Sequence, residues 1–516
     1  MNVGKRVVQL AKIGLAARKV AKARNSEDKQ LAHKALANLF ADAKGVTMKV
    51  GQFLADPAGD DAFADLVESI APVPLSEIRP VIAEHLGAPV DDIFPILDES
   101  MAAASLGQVH HAQRTDGQEV AVKVRYPGIA DAVEAELKLA GLMPGVGPVK
   151  KWGFNFGGYK TTLKDNMDRE LDYRSEAARQ MRFRDTVRVP GLVIPQVHED
   201  LSGPALLVQD WHEGARLKQI IDWPQGDRKA VGRILLSTLF ASLFEAGEVH
   251  GDPHPGNAFY RRDGADKPEV VLLDYGCTIA VDELPRLALL KLILGLREGE
   301  DVSPLQAFAA MGFEAKKLSL IAGALPMLSV ILLHPFLDGG PMFVSHWKLK
   351  DRFEALLGDN RWWFRSAGPA SNFLLMRAFQ GVVQQLDLLR ASLNWWDVLQ
   401  TSVSPETLAA ARALVLPPLP DELLNSEVAE LGAGKAAQHL KVKVLEGGRE
   451  KVALSMPAEA ALDLESLIPE DVVASIRATG ETDLEAVAAD IRRLGLQPQE
   501  ILDFDKGDKN YRVWLE

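Results

Sequence analysis

The stretch that decides the fold reads HGDPHPGN at residues 250–257, and it is followed by LLDYG at residues 272–276. The first group has the spacing H-x-D-x-x-x-x-N. Asp274 then opens an Asp-x-Gly turn behind a short apolar run, which predicts a buried strand. A surface turn rich in Pro and Gly would explain the first group alone, but not the second group following in the same order.

Three side chains in these two groups are those that phosphoryl transfer requires. A kinase catalytic loop has this spacing. Its Asp orients or deprotonates the acceptor, while its Asn and a second Asp hold the metal ions that bridge the nucleotide phosphates. Asp252, Asn257 and Asp274 supply these groups in that order. The residues therefore predict a catalytic site that uses ATP and Mg²⁺, with Asn257 and Asp274 as the metal ligands.

Residues 101–124 predict two strands of a kinase small lobe, joined by a Thr-Asp-Gly turn. The second strand contains Val-Ala-Val-Lys, the pattern whose lysine pairs with the nucleotide phosphates and with a glutamate on a helix. Lys123 is that lysine, and a long charged helix predicted over residues 161–184 offers Glu176 as its partner. We expect both residues to belong to the catalytic group.

Strand and helix signals continue on either side of this region. Residues 75–98 have a helical pattern, while residues 193–197 and 205–211 predict two further strands. The last of these leads into the connection between the lobes, which is expected to present backbone groups to the adenine. Gln209 and Trp211 are the nucleotide-binding candidates there.

Residues 229–415 have a helical pattern interrupted only by the catalytic hairpin, which predicts a large helical lobe. An uncharged run at residues 318–337 is long enough to span a bilayer, but its prolines and polar residues favour a buried helix pair. Beyond the LPPLP boundary at residues 416–420, two hairpin patterns with helices between them predict a separate docking or regulatory module with a protein partner.

These signals together predict an α+β, two-lobed protein-kinase-like fold. Residues 1–98 would form an N-terminal helical extension, and residues 99–211 a small lobe with an inserted helix. Residues 212–415 would form a mostly helical large lobe, and residues 438–516 a small α+β accessory module.

Composition narrows the partners. The chain has 516 residues and a net charge of −13, and this charge argues against a nucleic-acid partner. Its single cysteine, Cys277, excludes an internal disulfide and suits the reducing cytoplasm. Residues 1–34 carry +7, which leaves −20 for the remainder. Apolar positions among those charges predict either peripheral contact with an anionic membrane or a solvated helix packed on its own domain, and no secretory signal.

Five motifs in one order resemble the UbiB/ADCK family of atypical kinase-like proteins, across roughly residues 35–400. They are Lys49-x-Gly51-Gln52, Ala-Ala-Ala-Ser at residues 102–105, Glu170-x-Asp172, His-Gly-Asp at residues 250–252, and Asp-Tyr-Gly at residues 274–276.

The resemblance implies a role for the alanine-rich stretch. In this family such a loop replaces the glycine-rich loop of other kinases and alters nucleotide selectivity and phosphate handling. The residues so placed in the nucleotide site are Ala102, Ala103, Ala104 and Ser105.

The resemblance also implies a regulatory group. Lys49 and Gln52 would lie on an added helix that folds over the active site, with Lys49 meeting Glu170 and Asp172. Members of the family support the biosynthesis or handling of isoprenoid quinones and related lipids, act at membrane surfaces, and hydrolyse ATP more readily than they phosphorylate proteins. The expected function is therefore that of an atypical kinase-like ATPase or a small-molecule or lipid kinase.

Two features of the residues themselves agree that a peptide is a poor acceptor. After Gly276 only residues 277–281 precede the next helix, which starts near Asp282, whereas protein kinases have a longer segment that ends in Ala-Pro-Glu. The arginine of the usual catalytic loop is also replaced by Gly251. Water, or a small or lipid acceptor, fits better.

Other readings of the same residues remain. A small-molecule kinase of the aminoglycoside or choline type also uses His-Gly-Asp-x-His-Pro-x-Asn, although the alanine-rich stretch and the Lys49/Gln52 helix argue against it. A nucleotide-gated scaffold would bind ATP without turnover and recruit partners through its two ends. A zinc hydrolase built on His250 and His254 lacks the third protein ligand that such sites usually need.

Overall fold

The computed structural model describes residues 72–103, 106–129, 153, 156–424, 426–479 and 484–516. The expectations for the basic helix of residues 1–34 and for the regulatory pair Lys49 and Gln52 lie outside the described residues, as do those for Ala104 and Ser105.

The small lobe is built on a four-stranded antiparallel sheet in the order β1-β2-β3-β5. Its strands are β1 Ile96–Ala103, β2 Gly107–Gln113, β3 Glu119–Arg125 and β5 Leu206–Asp210. One face carries Val120, Val122 and Val124 at alternate positions of β3, all fully buried against helix α1, Leu75–Leu86. The opposite face carries Ala121 and Lys123, and Lys123 contacts Asp274 of the large lobe from there.

Two further helices cover the small lobe, α3 Phe156–Glu170 and α4 Tyr173–Thr186, and a short helix α2, Val90–Ile93, precedes β1. The prediction of one helix over residues 161–184 is wrong, because the chain breaks at Leu171 and Asp172. Asp172 caps α4 by accepting a hydrogen bond from the backbone N–H of Arg174 at 3.1 Å, and a side chain that does so competes with continued helix.

The bounds of one predicted helix and of one predicted strand also differ from the structure. The helical pattern of residues 75–98 ends early, because Pro95 disfavours helix before it and Ile96 opens β1. The strand expected over residues 193–197 is reduced to β4, Leu192–Val193, since Pro195 has no N–H for a ladder.

The large lobe is mostly helical. Its helices are α5 Leu217–Ile220, α6 Gln225–Phe240, α7 Glu283–Glu298, α8 Pro304–Ala310, α9 Ala315–Leu318, α10 Leu325–Leu337, α11 Leu349–Leu357, α12 Arg361–Ala367, α13 Ala370–Leu388, α14 Trp395–Ser402, α15 Pro405–Ala413 and α16 Glu427–Ala433. Small strands carry the predicted catalytic hairpin, namely β6 Glu248–His250, β7 Ala258–Arg262, β8 Pro268–Leu272 and β9 Thr278–Ala280.

The helical stretch Ala315–Leu337 is, among the described residues, long and apolar enough to cross a membrane, but 72% of its most apolar window is buried inside the protein. A 3₁₀ turn, Ser319–Ala324, divides it into two helices, so that the predicted buried helix pair is what the structure contains.

The C-terminal residues form a second four-stranded antiparallel sheet in the order β11-β10-β13-β12. Its elements are β10 His439–Glu446, β11 Arg449–Pro457, α17 Leu464–Leu467, α18 Glu470–Thr479, α19 Leu484–Leu494, β12 Gln499–Lys506 and β13 Lys509–Leu515. The two predicted hairpins with helices between them are confirmed. Leu440, Leu496 and Leu515 belong to the same hydrophobic core as Leu325 of the large lobe, so the C-terminal sheet packs on that lobe. The domain boundaries themselves stay predictions.

Candidate active site

The cleft face of the small-lobe sheet is fixed by strand register. Lys123 on β3 pairs with Val109 on β2 and with Leu207 on β5, and directly paired residues of antiparallel strands point to the same face. Helix α4 packs on this face through Tyr173 and Ala177. The packing places Glu176, one helical turn from Tyr173, beside the lysine.

Lys123 joins three elements at the centre of the cleft. Its Nζ donates to Glu176 Oε1 at 2.7 Å and to Asp274 Oδ2 at 3.1 Å. Burial opposes the charged form of the lysine, but the carboxylates of Asp274 and Glu176 raise its pKa well above the ordinary value. Burial also raises the pKa of Glu176, an effect that the Lys123 ammonium offsets in part.

Helix α4 also holds the Asp-x-Gly turn through Arg179, which sequence reasoning missed. The buried guanidinium donates through Nε to the carbonyl of Tyr275 and through Nη2 to the carbonyl of Gly276, both at 3.1 Å. The backbone N–H of Tyr275 donates to Glu176 Oε1 at 3.4 Å. Arg179 follows Glu176 by three positions, on the same side of the helix, and that spacing was the available signal.

His250 and Gly251 pack the start of the catalytic loop against the Asp-x-Gly segment. His250 donates through Nε2 to the backbone carbonyl of Asp274, and burial lowers its pKa, so the imidazole is neutral. Gly251 lies against Cys277, where a Cβ would come within 2.9 Å of Sγ. There is no room here for the arginine that protein kinases carry, and the chain after Gly276 goes directly into β9, which pairs with β6.

Asn257 and Asp274 come together because β7 and β8 pair directly after and before them. The backbone N–H of Leu273 donates to the Asn257 carbonyl at 2.9 Å. Asn257 donates through Nδ2 to the Asp252 carbonyl at 3.0 Å, which leaves its amide oxygen as the atom able to ligate a cation. An amide oxygen and a carboxylate fit Mg²⁺, which commonly takes one or two protein ligands and completes its shell with water and nucleotide phosphates.

Among the described residues no three or more His, Cys, Asp or Glu side chains are grouped to hold a metal ion. His254 accepts from the backbone N–H of Gly256 at 3.0 Å and His250 faces the Asp274 carbonyl, so the two histidines have separate structural contacts.

Asp252, the expected acceptor-orienting residue, makes an ion pair with a residue that sequence reasoning missed. Arg377 of α13 donates through Nη2 to Asp252 Oδ1 at 2.8 Å. Arg377 lies 125 positions downstream of Asp252, and no spacing rule connects two residues so far apart.

Three of the predicted nucleotide-binding residues, Ala102, Ala103 and Gln209, lie in strands of the small-lobe sheet. Ala102 and Ala103 are the last described residues of β1, paired with Val109 and Gln108, and are therefore strand rather than loop. Gln209 is buried inside the sheet and accepts from Gln180 Nε2 at 2.7 Å.

Trp211 extends the sheet and contacts His111, which lies on the same face of the sheet as Lys123. Its backbone N–H donates to the Glu119 carbonyl at 3.2 Å, and its ring lies 4.7 Å from the ring of His111. The contacts of Gln209 and Trp211 with a nucleotide stay predictions.

The expected regulatory acids are separated. Glu170 ends α3, is buried, and lies close enough to Arg377 to raise the pKa of that guanidinium. Asp172 is half-exposed and caps α4. The structure thus brings Lys123, Glu176, Asp274, Asn257 and Asp252 into one cleft with Glu170 at its side, whereas Asp172 lies at the surface.

The two lobes and the bridging lysine define a protein-kinase-like domain, as the sequence predicted. Residues 65–305 match the ABC1 atypical kinase-like domain family, which confirms the resemblance stated above.

Relatives support the assignment. A chloroplast protein of Arabidopsis thaliana named activity of bc1 complex kinase 8 is 30% identical over 265 residues, which are 49% of this chain and 34% of that protein. The mitochondrial atypical kinase COQ8B of Danio rerio is 26% identical over 294 residues, with 54% and 47% covered. AarF domain-containing protein kinase 1 of Mus musculus is 32% identical over 257 residues, with 47% and 49% covered. The match spans about half or less of the length of each of these relatives.

The solved structures that match this chain include the Rv3197–erythromycin complex of Mycobacterium tuberculosis, with a TM-score of 0.49 and 26% identity, covering 72% of this chain and 95% of that one. A Rio2 kinase of Chaetomium thermophilum in complex with ADP and Mg²⁺ has a TM-score of 0.27 and 11% identity, covering 60% and 74%.

Proposed function

We propose that this chain is an ATP-dependent phosphotransferase or ATPase of the atypical kinase type. The observation that carries the proposal is Lys123, whose ammonium bridges a helix glutamate and the aspartate of the Asp-x-Gly turn at 2.7 and 3.1 Å. In kinases this lysine–glutamate pair and the metal-binding aspartate must be in place together for activity. Here they are already in contact.

Each side chain has a task in this proposal. Lys123, braced by Glu176, binds nucleotide phosphates, while Asn257 and Asp274 hold Mg²⁺, which neutralises charge on those phosphates when bound. Asp252 orients the acceptor and accepts its proton. Tyr275 and Gly276 stay in one conformation because Arg179 holds both carbonyls.

The acceptor is proposed to be water, or a small or lipid molecule, within isoprenoid-quinone or related lipid metabolism at a membrane surface. Support comes from the family resemblance, from relatives named as mitochondrial and chloroplast proteins, and from the packed turn at Gly251 and β9, which occupies the place of a peptide-docking segment. Residues 1–34 would supply the membrane contact and residues 438–516 the contact with a protein partner.

The first test is ATP turnover by the wild type, by Lys123→Met and by Asp274→Asn, with Mg²⁺ and with EDTA. We expect both variants to lower kcat by about 100-fold or more, because each removes a charge that meets the transferring phosphoryl group. Lys164→Met is the matched control, since Lys164 makes an exposed pair with Asp168 on α3, and it should match the wild type. A wild type that neither binds nor hydrolyses Mg-ATP, or a Lys123→Met protein of unchanged rate, would contradict the proposal.

The acceptor is tested with ATP labelled in the γ-phosphate and liposomes that contain anionic lipid and quinone. Label in the lipid extract indicates a lipid kinase, and label only in inorganic phosphate indicates an ATPase. Label in a soluble alcohol supplied in parallel would instead favour a kinase of the aminoglycoside or choline type.

A further inference from the structure

Helix α13 meets the catalytic loop through three residues spaced four apart. Positions 377, 381 and 385 lie on nearly one face of a helix, because four residues make slightly more than one turn. Arg377 contacts Asp252, as described above. At Gly381 a Cβ would come within 2.7 Å of Pro253 Cγ, so only glycine lets the loop approach the helix this closely.

Gln385 completes this stripe. Its Nε2 donates to the backbone carbonyl of Pro253 at 2.6 Å, and its Oε1 accepts from the Tyr260 hydroxyl at 2.6 Å. Gln385 is buried, and Tyr260 lies in β7, directly beyond the catalytic loop. The stripe therefore fixes both the backbone of the loop and the strand that leaves it.

The positive charge that pairs with Asp252 also comes from α13. The loop between Asp252 and Asn257 reads PHPG and carries no lysine or arginine. The side chains of Asp252 and Arg377 are 20% and 23% exposed, so the pair is mostly removed from water. Burial would lower the pKa of Arg377, but Asp252, and less strongly Cys277 and Glu170, raise it above the ordinary value. The guanidinium is therefore charged and compensates the acids around it.

We infer that Arg377 is a positioning residue for phosphoryl transfer, which holds the Asp252 carboxylate in the orientation that meets the acceptor while Gly381 and Gln385 fix the loop backbone. The inference rests on the proposed function. A carboxylate that receives an acceptor proton must be held in one rotamer, and a charge-assisted N–H···O bond on one of its oxygens does this from outside the loop. Lys123, Asn257 and Asp274 bind the nucleotide independently of this contact.

The test compares Arg377→Met, Arg377→Lys and Gly381→Ala. Arg377→Met should lower kcat by about 100-fold and change the KM for ATP by less than about threefold, because the acceptor step is lost and nucleotide binding is not. Arg377→Lys should recover about tenfold of that loss. Gly381→Ala should lower kcat without removing charge, since its methyl group displaces Pro253. The control is Arg412→Met, because Arg412 pairs with Glu298 at 2.7 Å on the surface of the same lobe, and it should behave as the wild type.

Two readouts separate positioning from a general structural defect. Calorimetric affinity for Mg-ADP should change by less than about threefold in Arg377→Met. In an Asp252→Asn background the same substitution should change the residual kcat by less than about twofold, because no carboxylate remains to be positioned.

Equal losses in both backgrounds, or Mg-ADP affinity falling in parallel with kcat, would overturn the inference. So would a Gly381→Ala protein of wild-type rate together with an active Arg377→Met. If the wild type itself neither binds Mg-ADP nor hydrolyses ATP, the proposed function fails before any variant is compared, and the inference fails with it.

Discussion

Tyr275 of the Asp-x-Gly turn has a hydroxyl group that the proposed mechanism does not use. The side chain is fully buried, and its hydroxyl has no hydrogen-bond partner among the described residues. Burial raises the pKa of the phenol well above its usual value, so the hydroxyl is neutral. Its ring packs against Phe183 and His250, with centroids 5.3 and 5.5 Å away, and phenylalanine would keep both contacts.

We therefore expect Tyr275→Phe to raise the free energy of unfolding by about 1 kcal/mol, because an unsatisfied buried hydroxyl is removed and the packing stays. Urea unfolding measures this change. The control is Tyr260→Phe, whose hydroxyl donates to Gln385, and it should lower the free energy of unfolding by about 1 kcal/mol. The interpretation is wrong if both substitutions shift stability in the same direction.

At the scale of the element, strand β2 holds the chain that enters the small lobe. Gln108 accepts from the backbone N–H of Val73 at 2.7 Å and donates to the Val73 carbonyl at 2.9 Å. His110, two residues on, donates through Nδ1 to the Asp98 carbonyl at 2.8 Å, so its unprotonated Nε2 faces the Gln108 amide at 3.0 Å. This network requires a neutral imidazole, and burial lowers the pKa of His110 accordingly.

Protonation of His110 is expected to destabilise the fold. A histidine whose pKa is lower in the folded state stabilises the fold above its unfolded pKa of about 6.5, and that contribution is lost as the pH falls through the folded pKa. We expect the midpoint temperature of unfolding to decrease as the pH is lowered from 7 to 5, in part because His110 becomes protonated and its neutral hydrogen-bond network is lost. His110→Asn should show a shallower pH dependence than the wild type, and an identical dependence would show that His110 does not take part.

The elements differ in how far sequence could predict them. Local rules were sufficient for the catalytic hairpin and for both C-terminal hairpins, because turn residues and spacing act within short stretches. The Lys123–Glu176 pair spans 53 positions and was predicted from the kinase pattern instead. The break between α3 and α4 was missed because an aspartate such as Asp172 occurs both on exposed helix surfaces and at helix N-caps. Arg179 and Arg377 were missed for another reason. Their partners include a backbone carbonyl 96 positions away and a carboxylate 125 positions away, which tertiary packing brings together. For Arg179 the only local signal was its spacing from Glu176.

At the scale of the whole molecule, the C-terminal sheet packs on the large lobe and shares its hydrophobic core. Gln497 donates to the carbonyls of Gly323 and Leu431 at 3.1 and 2.8 Å. Arg352 of α11 pairs with Glu459 at 2.6 Å. Sequence reasoning placed a boundary at the LPPLP stretch because proline interrupts regular structure there, but a Pro-rich connection does not show whether the segments on either side share a core.

A close backbone contact between Gly323 and Gly495 allows the packing of the C-terminal sheet on the large lobe to be tested. Gly495 has φ +75°, and a Cβ there would overlap the carbonyl group of Gly323. We expect Gly495→Ala to lower the free energy of unfolding by about 3 kcal/mol, since backbone strain and a clash with backbone add together. Gly507→Ala is the matched control. Gly507 has φ +65° with open space around it, so only the strain of about 1 kcal/mol applies.

Hydrogen exchange then shows which parts respond. Because one hydrophobic core includes Leu325 of α10 and Leu515 of β13, amides in both elements should exchange through the same cooperative opening. Gly495→Ala should weaken protection in α10 as much as in β13, although α10 is more than 150 residues distant in sequence. An accessory module that folded by itself would lose protection in β13 alone and leave α10, the helices packed around it and ATP turnover unchanged.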